Sequence, residues 1–271
     1  MKADNMDNNI ENIVHDKKKL KAFLEGMYYV YARRELVYPD PLWYLYKYDD
    51  VRDREIVGLI ASSLAYGRVA QIMKSVDRVL SCLGTRPREF LLKHGDSDIV
   101  PSSFKHRFTT SADMNNFLRN IREVLMKYET VEELAKESKK RTGSDRFTWL
   151  EIFTSALTKN QVPHSFPILS SPSSGSAAKR LCLFLRWLIR SDCVDPGGWH
   201  SFSPSCLLIP CDTHMHRIST ILHLTSQPSP NFKAVQQITS AFRSLSPSDP
   251  AKYDFPLTRF GIRSGLSFYC S

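Results

Sequence analysis

Apolar residues recur at spacings of three and four along most of this chain, the pattern of helices with one buried face. Leu20, Phe23, Leu24 and Met27 predict an amphipathic helix near residues 17–34. An aromatic segment bounded by prolines follows, Tyr38-Pro39-Asp40-Pro41-Leu42-Trp43-Tyr44. Two helices joined by a short turn come next. Ile56, Leu59, Ile60, Ser63 and Leu64 line one face of the first, and Val69, Ile72, Met73, Val76, Val79, Leu80 and Leu83 one face of the second. Gly84, just past the last apolar position, is a natural C-terminal cap.

Met114, Phe117, Leu118, Ile121 and Leu125 mark another helix, and Thr130 with Glu133 forms a capping-box pattern that opens the next. Phe147, Leu150, Ile152, Phe153 and Leu157 suggest one more, followed by a Pro- and Ser-rich loop over 160–175. A helix from Ala177 to Arg190 is broken by Asp195-Pro196-Gly197-Gly198. Three short helices close the chain, opened by Asp212, by Ser229-Pro230 and by Ser248-Asp249-Pro250. Strand-like alternation is almost absent, with Cys206-Leu207-Leu208-Ile209 the one candidate. The expectation is an all-α protein of roughly ten helices.

Composition narrows the picture. The 271 residues suit one large domain or two lobes, and 42% hydrophobic with 24% charged residues excludes a disordered or fibrous chain. Lys and Arg number 37 against 28 Asp and Glu, a formal charge of +9 that favours polyanionic partners. Mean hydropathy is -0.30, and the apolar stretches are all shorter than a bilayer span. The start, Met1-Lys2-Ala3-Asp4-Asn5, lacks the apolar core of a signal peptide, so a soluble cytoplasmic protein without membrane contact is expected. Cys82, Cys182, Cys193, Cys206, Cys211 and Cys270 are unevenly spaced, contain no CxxC pair and read as reduced thiols, with no zinc or iron–sulfur ligand set.

Two stretches could carry chemistry. In Ile209-Pro210-Cys211-Asp212-Thr213-His214-Met215-His216-Arg217-Ile218 an aspartate ends an apolar run and opens a helix. Taken alone, Asp212 reads first as an N-cap, worth about 1 kcal/mol. In Ser174-Gly175-Ser176-Ala177-Ala178-Lys179-Arg180-Leu181 small residues lead into a helix with Lys179 in its first turn. A surface lysine is the plain reading, yet a cation is disfavoured at that end of a helix. Free N–H groups of such a turn also suit a phosphate. His214 and His216 diverge on a helix and do not share a metal. Trp43, Tyr44, Tyr46 and Tyr48 read as packing, Lys17-Lys18-Lys19 with Lys21 as a solvated face, and Arg180, Arg186 and Arg190 as partners of carboxylates or of DNA.

In that order, the two stretches resemble the helix–hairpin–helix DNA glycosylase superfamily. There a Gly-x-Gly-x-Lys-type hairpin precedes Val-Asp-Thr-His-x-x-Arg-Val. Gly175 and Lys179 match the first motif; Asp212, Thr213, His214 and Arg217 match the second. Leu64-Ala65-Tyr66-Gly67-Arg68-Val69-Ala70-Gln71-Ile72 is similar to the turn that carries the DNA-inserted wedge in endonuclease III and 8-oxoguanine glycosylase, with Tyr66 at the wedge position. A buried tyrosine stabilising the helix pair is the other reading of Tyr66. The whole chain is also similar to a divergent bacterial family, through Tyr38-Pro39-Asp40-Pro41, Asp53-Arg54-Glu55-Ile56, Ala178-Lys179-Arg180-Leu181 and Lys252-Tyr253-Asp254-Phe255 among others.

The resemblance implies a two-lobed glycosylase-like fold with a degenerate hairpin. One helical lobe would span 53–205, and 1–52 plus 206–271 would form the second. Lys179 would be the nucleophile of a base-excision glycosylase with abasic-site lyase activity, and Asp212 its electrostatic partner. Tyr66, Gly67, Arg68, Gly175, Ser176, Ala177, Ala178, Arg180, His214 and Arg217 would contact damaged or abasic DNA. The chain departs from the pattern where Ala177 replaces the second glycine and where 33 positions separate Lys179 from Asp212 (179 to 212). The longer spacing resembles the archaeal 8-oxoguanine branch and suggests an oxidised purine. The four-cysteine loop of endonuclease III is missing, so no cofactor or metal is implied. A monomer is expected, nucleoid-associated if bacterial. The alternative is a catalytically inactive nucleic-acid-binding protein of the same fold.

Overall fold

A computed structural model describes residues 13–94, 97–143, 145, 147–160 and 165–263, and Cys270 lies outside them. Eleven α-helices account for most of the described residues, and the fold is all-α. In chain order they are α1 (Lys17–Tyr31), α2 (Val51–Ser63), α3 (Val69–Leu83), α4 (Pro87–His94), α5 (Ser111–Tyr128), α6 (Val131–Thr142), α7 (Thr148–Leu157), α8 (Lys179–Ile189), α9 (Thr213–Ile221), α10 (Phe232–Leu245) and α11 (Asp254–Arg263). One two-stranded antiparallel hairpin, β1 (Lys105–His106) and β2 (Thr109–Thr110), is the sheet among them.

The centre of the fold is the contact between α2 and α8. Nine consecutive residues of α2, Glu55 to Ser63, are buried. Gly58 lets the helices meet: a methyl group there would lie 3.0 Å from Leu188 Cδ2 and 3.3 Å from Phe184. The surrounding core is one continuous cluster running from Leu20 to Leu257. At its margin α1 packs on α11, where Glu25 accepts hydrogen bonds from Lys252 and from the Tyr253 hydroxyl, both at 2.7 Å.

Local chemistry sets most boundaries. Asp16, Asp50, Thr110, Thr130, Asp212 and Asn231 each accept a backbone N–H at a helix start, and Gly84 at φ +70° ends α3. Two starts differ from the sequence expectation. Helix α10 begins after Asn231, not at Ser229-Pro230, because the Asn231 carboxamide reaches Ala234 N at 2.9 Å. Helix α11 begins at Asp254 because the Asp249 carboxylate is drawn to Arg190 at 3.0 Å and is not available as a cap. The run Leu207-Leu208-Ile209 is not a strand. All three side chains are buried, and Ile209 N–H donates to the Thr239 hydroxyl instead of to a neighbouring strand.

Glu55 connects distant parts of this framework. Its carboxylate accepts hydrogen bonds from Val131 N (3.0 Å) and Glu132 N (2.8 Å) at the start of α6, and from Trp199 Nε1 (2.7 Å). Burial pushes its pKa up to about 7, against the lowering effect of these three donors. The native state therefore binds this proton more tightly than an unfolded chain does. The stabilisation is complete below the ordinary glutamate range and is lost as pH rises to about 7. Glu55→Gln should flatten the wild-type decline in unfolding free energy across that window. Urea denaturation at stepped pH reads the difference, and an unchanged slope would refute it.

Candidate active site

Two helix starts that are distant in sequence converge on one pocket. Lys179 is the first residue of α8, and Asp212 is the N-cap of α9. Lys179 Nζ lies 3.2 Å from Asp212 Oδ2 and 3.5 Å from the Ala65 carbonyl oxygen. The two side chains are 32% and 24% exposed, sheltered yet reachable from solvent. The pocket encloses about 450 Å³. The α2–α3 turn, residues 176–180 and residues 211–214 form its walls, together with Ser170 and Pro230.

Backbone strain and a hydrogen-bonded cap aim the pair. Ala178, the N-cap of α8, sits at φ +45° with no side-chain cap, a left-handed conformation that disfavours any residue with a Cβ. Its side chain is 3% exposed, so packing holds it there. The preceding loop is pinned to the start of α10 by Phe232 N–H donating to Gly175 O at 3.0 Å and by a bridge between Ser176 and Asn231. Asp212 divides its oxygens: Oδ1 accepts from Met215 N at 2.9 Å, leaving Oδ2 for the lysine. Burial pushes the Asp212 carboxyl up, but Lys179 and the Met215 N–H outweigh it and hold it below the usual aspartate range. The N-cap reading and the charged-partner reading of Asp212 are thus satisfied together.

Cys211 also borders the pocket, but burial and the adjacent Asp212 push its thiol up to about 12. A thiol with that pKa is not a nucleophile near neutral pH. Among the described residues no group of three or more His, Cys, Asp and Glu side chains could hold a metal ion.

The other sequence candidates separate into wall and rim. Tyr66 and Gly67 line the pocket; Gly67 and Arg68 are exposed. Tyr66 is half-buried and tied by its hydroxyl, which lies 2.8 Å from both His106 O and Thr109 Oγ1 and accepts Thr109 N–H at 3.2 Å. Its ring packs edge-on to His106 and tilted against Phe166. Such a side chain braces the wall instead of projecting from it. Tyr66→Phe should lower unfolding free energy by about 1–2 kcal/mol, because the buried Thr109 N–H loses its acceptor. Chemical denaturation measures this, and an unchanged midpoint would show that the hydroxyl braces nothing.

Arg180 is also part of the wall. Its guanidinium donates to Ser63 O (3.2 Å) and Pro167 O (2.5 Å) and covers the faces of Tyr66 and Phe166. It is 9% exposed, with its guanidinium committed to these carbonyls and rings. Ala177 and Ala178 are buried as well, whereas Gly175, Ser176, His214 and Arg217 lie at the surface. Arg186 and Arg190 pair with carboxylates: Arg186 with Asp195 and Asp254, Arg190 with Asp192, Asp195 and Asp249. The sequence reading missed the hairpin residues His106 and Thr109 and the ring of Phe166. The basic-aromatic run Lys105-His106-Arg107-Phe108 was the available signal, but strands of two residues are too short to show alternation.

A family model described as "Protein of unknown function (DUF2400)" matches residues 40–263. No curated protein and no solved structure matches the chain.

Proposed function

We propose that this chain, which belongs to the DUF2400 family, is a DNA base-excision glycosylase with associated abasic-site lyase activity. The observation that carries the reading is the Lys179–Asp212 pair, an amine 3.2 Å from a carboxylate inside a pocket large enough for a nucleobase. The ordered motif likeness and the formal charge of +9 add to it. Lys179 Nζ attacks C1′ of an extruded nucleotide. The C1′–N bond breaks, and the base leaves with the proton that Asp212 took from the Lys179 ammonium before the attack. Asp212, ionised again, stabilises the positive charge that develops on the sugar and carries a proton from the attached nitrogen to O4′ as the C1′–O4′ ring bond opens to a protonated imine. The resulting imine acidifies the C2′ hydrogen, and β-elimination then breaks the C3′–O bond. Damaged or abasic duplex DNA is the partner, an oxidised purine the first base to test, and a monomer the working unit.

Wild-type protein incubated with a duplex bearing one abasic site should form a covalent complex on borohydride reduction. A panel of oxidised, alkylated and deaminated bases then identifies the substrate. Protein that binds these duplexes in a salt-dependent manner but is never trapped and releases no base is the inactive nucleic-acid-binding alternative.

A further inference from the structure

Above the pocket, β1 and β2 are joined by two residues, Arg107 and Phe108. Arg107 sits at φ +52°, a position that glycine normally takes in a hairpin turn of this length. The strained turn presents Phe108 at the tip with 60% of its surface exposed. A single exposed phenylalanine is ordinary by itself. This one differs in what holds it and in what it packs against.

The base of the hairpin is clamped. His106, 2% exposed, hydrogen-bonds through Nδ1 to Ser75 Oγ at 2.9 Å and through Nε2 to Tyr66 O at 3.0 Å. The Tyr66 hydroxyl returns the connection to His106 O and Thr109. Gly67 receives the Arg107 side chain so closely that a methyl group at Gly67 would lie 2.6 Å from Arg107 Cδ. From the tip a row of rings leads inward, Phe108 to Phe166 at 5.3 Å and Phe166 to Tyr66 at 5.1 Å, with Arg180 covering the last two. Tyr66 and Arg180 are walls of the Lys179 pocket. Arg107 lies over the Phe108 ring at 5.6 Å, and Lys105 in β1 and Arg68 beside Gly67 are exposed, so this part of the surface carries positive charge.

We infer that the Arg107–Phe108 hairpin tip is the element that enters the base stack, Phe108 filling the gap left by an extruded or missing base. Tyr66, the wedge position of the motif likeness, would then support the inserted ring from behind. The inference rests on the glycosylase reading for its substrate class, but its test is binding and not turnover. A rigid aromatic on a fixed turn loses little freedom on insertion, and a stacked ring accepts any neighbouring base. Arg107 would contact a flanking phosphate and set the depth of insertion.

The probe is a duplex carrying one tetrahydrofuran abasic analogue, which has no leaving group at C1′ and cannot form an imine. A 2-aminopurine opposite the gap reports insertion. Wild-type protein should bind this duplex more tightly than the intact one and change the 2-aminopurine emission. Phe108→Ala should weaken binding to the gapped duplex roughly five- to hundredfold, the range for losing one stacked aromatic. It should abolish the emission change and leave affinity for intact duplex and the melting temperature unaltered. Phe108→Trp should restore both signals. Equal affinity of wild type and Phe108→Ala for the gapped duplex would overturn the inference, as would a wild type that ignores the gap, whether or not borohydride traps it elsewhere. Preferential, Phe108-dependent binding by a protein that borohydride never traps would support the hairpin assignment while ending the glycosylase reading.

Discussion

Lys179→Gln should abolish borohydride trapping on abasic DNA while leaving the fold intact. Glutamine is one bond shorter but keeps a polar N–H donor at the pocket, and it has no nucleophilic amine. Lys179 is a third exposed at the first turn of α8, so the substitution opens no cavity in the core. Asp212→Asn separates the two duties of that residue. Its amide oxygen still accepts the Met215 N–H and caps α9, so stability should change little. The negative charge 3.2 Å from Nζ is lost, and trapping should slow by two to three orders of magnitude, roughly the loss from removing one electrostatic stabiliser. Time-resolved trapping with all three proteins provides the measurement. A Lys179→Gln protein that is trapped as fast as wild type would move the nucleophile elsewhere. An Asp212→Asn protein at wild-type rate would leave the aspartate with a capping role alone.

Arg186→Ala should have the largest effect on stability, about 3–5 kcal/mol, the usual result of breaking a buried ion pair from one side. Arg186 in α8 and Arg190 at its C-terminal cap project into a closed group of carboxylates. Asp195, fully buried, bridges the two arginines, and Arg186 also holds Asp254, which is 4% exposed. Burial pushes Asp254 up to about 6 even with Arg186 beside it. Removing the arginine strands Asp254 and leaves Asp195 with Arg190 alone, and lowering the pH relieves part of the damage because Asp254 then takes a proton. The loss measured by urea denaturation should accordingly be smaller at pH 6 than at pH 8. Arg186→Lys should recover only part of the stability, since one ammonium does not reproduce a planar fork between two carboxylates. A mutant within 1 kcal/mol of wild type at pH 8 would contradict this account, as would one more damaged at pH 6 than at pH 8.

The helices were legible wherever periodicity and capping agreed. Helix α3, with apolar residues every third or fourth position and Gly84 at its end, is the clearest case. Helix α2 was placed from its apolar face, though the structure buries every residue from Glu55 to Ser63. Boundaries were misplaced where tertiary charge pairing overrode a local cap, as at Asp249. Helix α4 and the hairpin went unread because eight residues and two pairs of residues carry too little pattern. Lys179 and Asp212 could be nominated from motif order, and the structure brings them together. Arg180 could not be assigned, because only the fold shows whether an arginine at that spacing faces solvent or the carbonyls of Ser63 and Pro167. Phe108 had no sequence mark beyond being apolar in a basic run.

The carboxylate of Glu55 also bears on the order in which the chain folds. It adds to the Thr130 cap of α6 from 76 residues away, taking the Val131 N–H, and holds Trp199 from 144 residues away. Neither bond can form until the intervening loops have closed, an entropic loss that precedes any gain from the contacts. The Glu55 contribution to the cap of α6, unlike the local Thr130 bond, is therefore a late acquisition, made as α2 settles into the assembled core. Interactions absent from the transition state act mainly on the rate of unfolding. Glu55 is thus a latch on the finished fold, governing how long the native state persists more than how quickly it is reached.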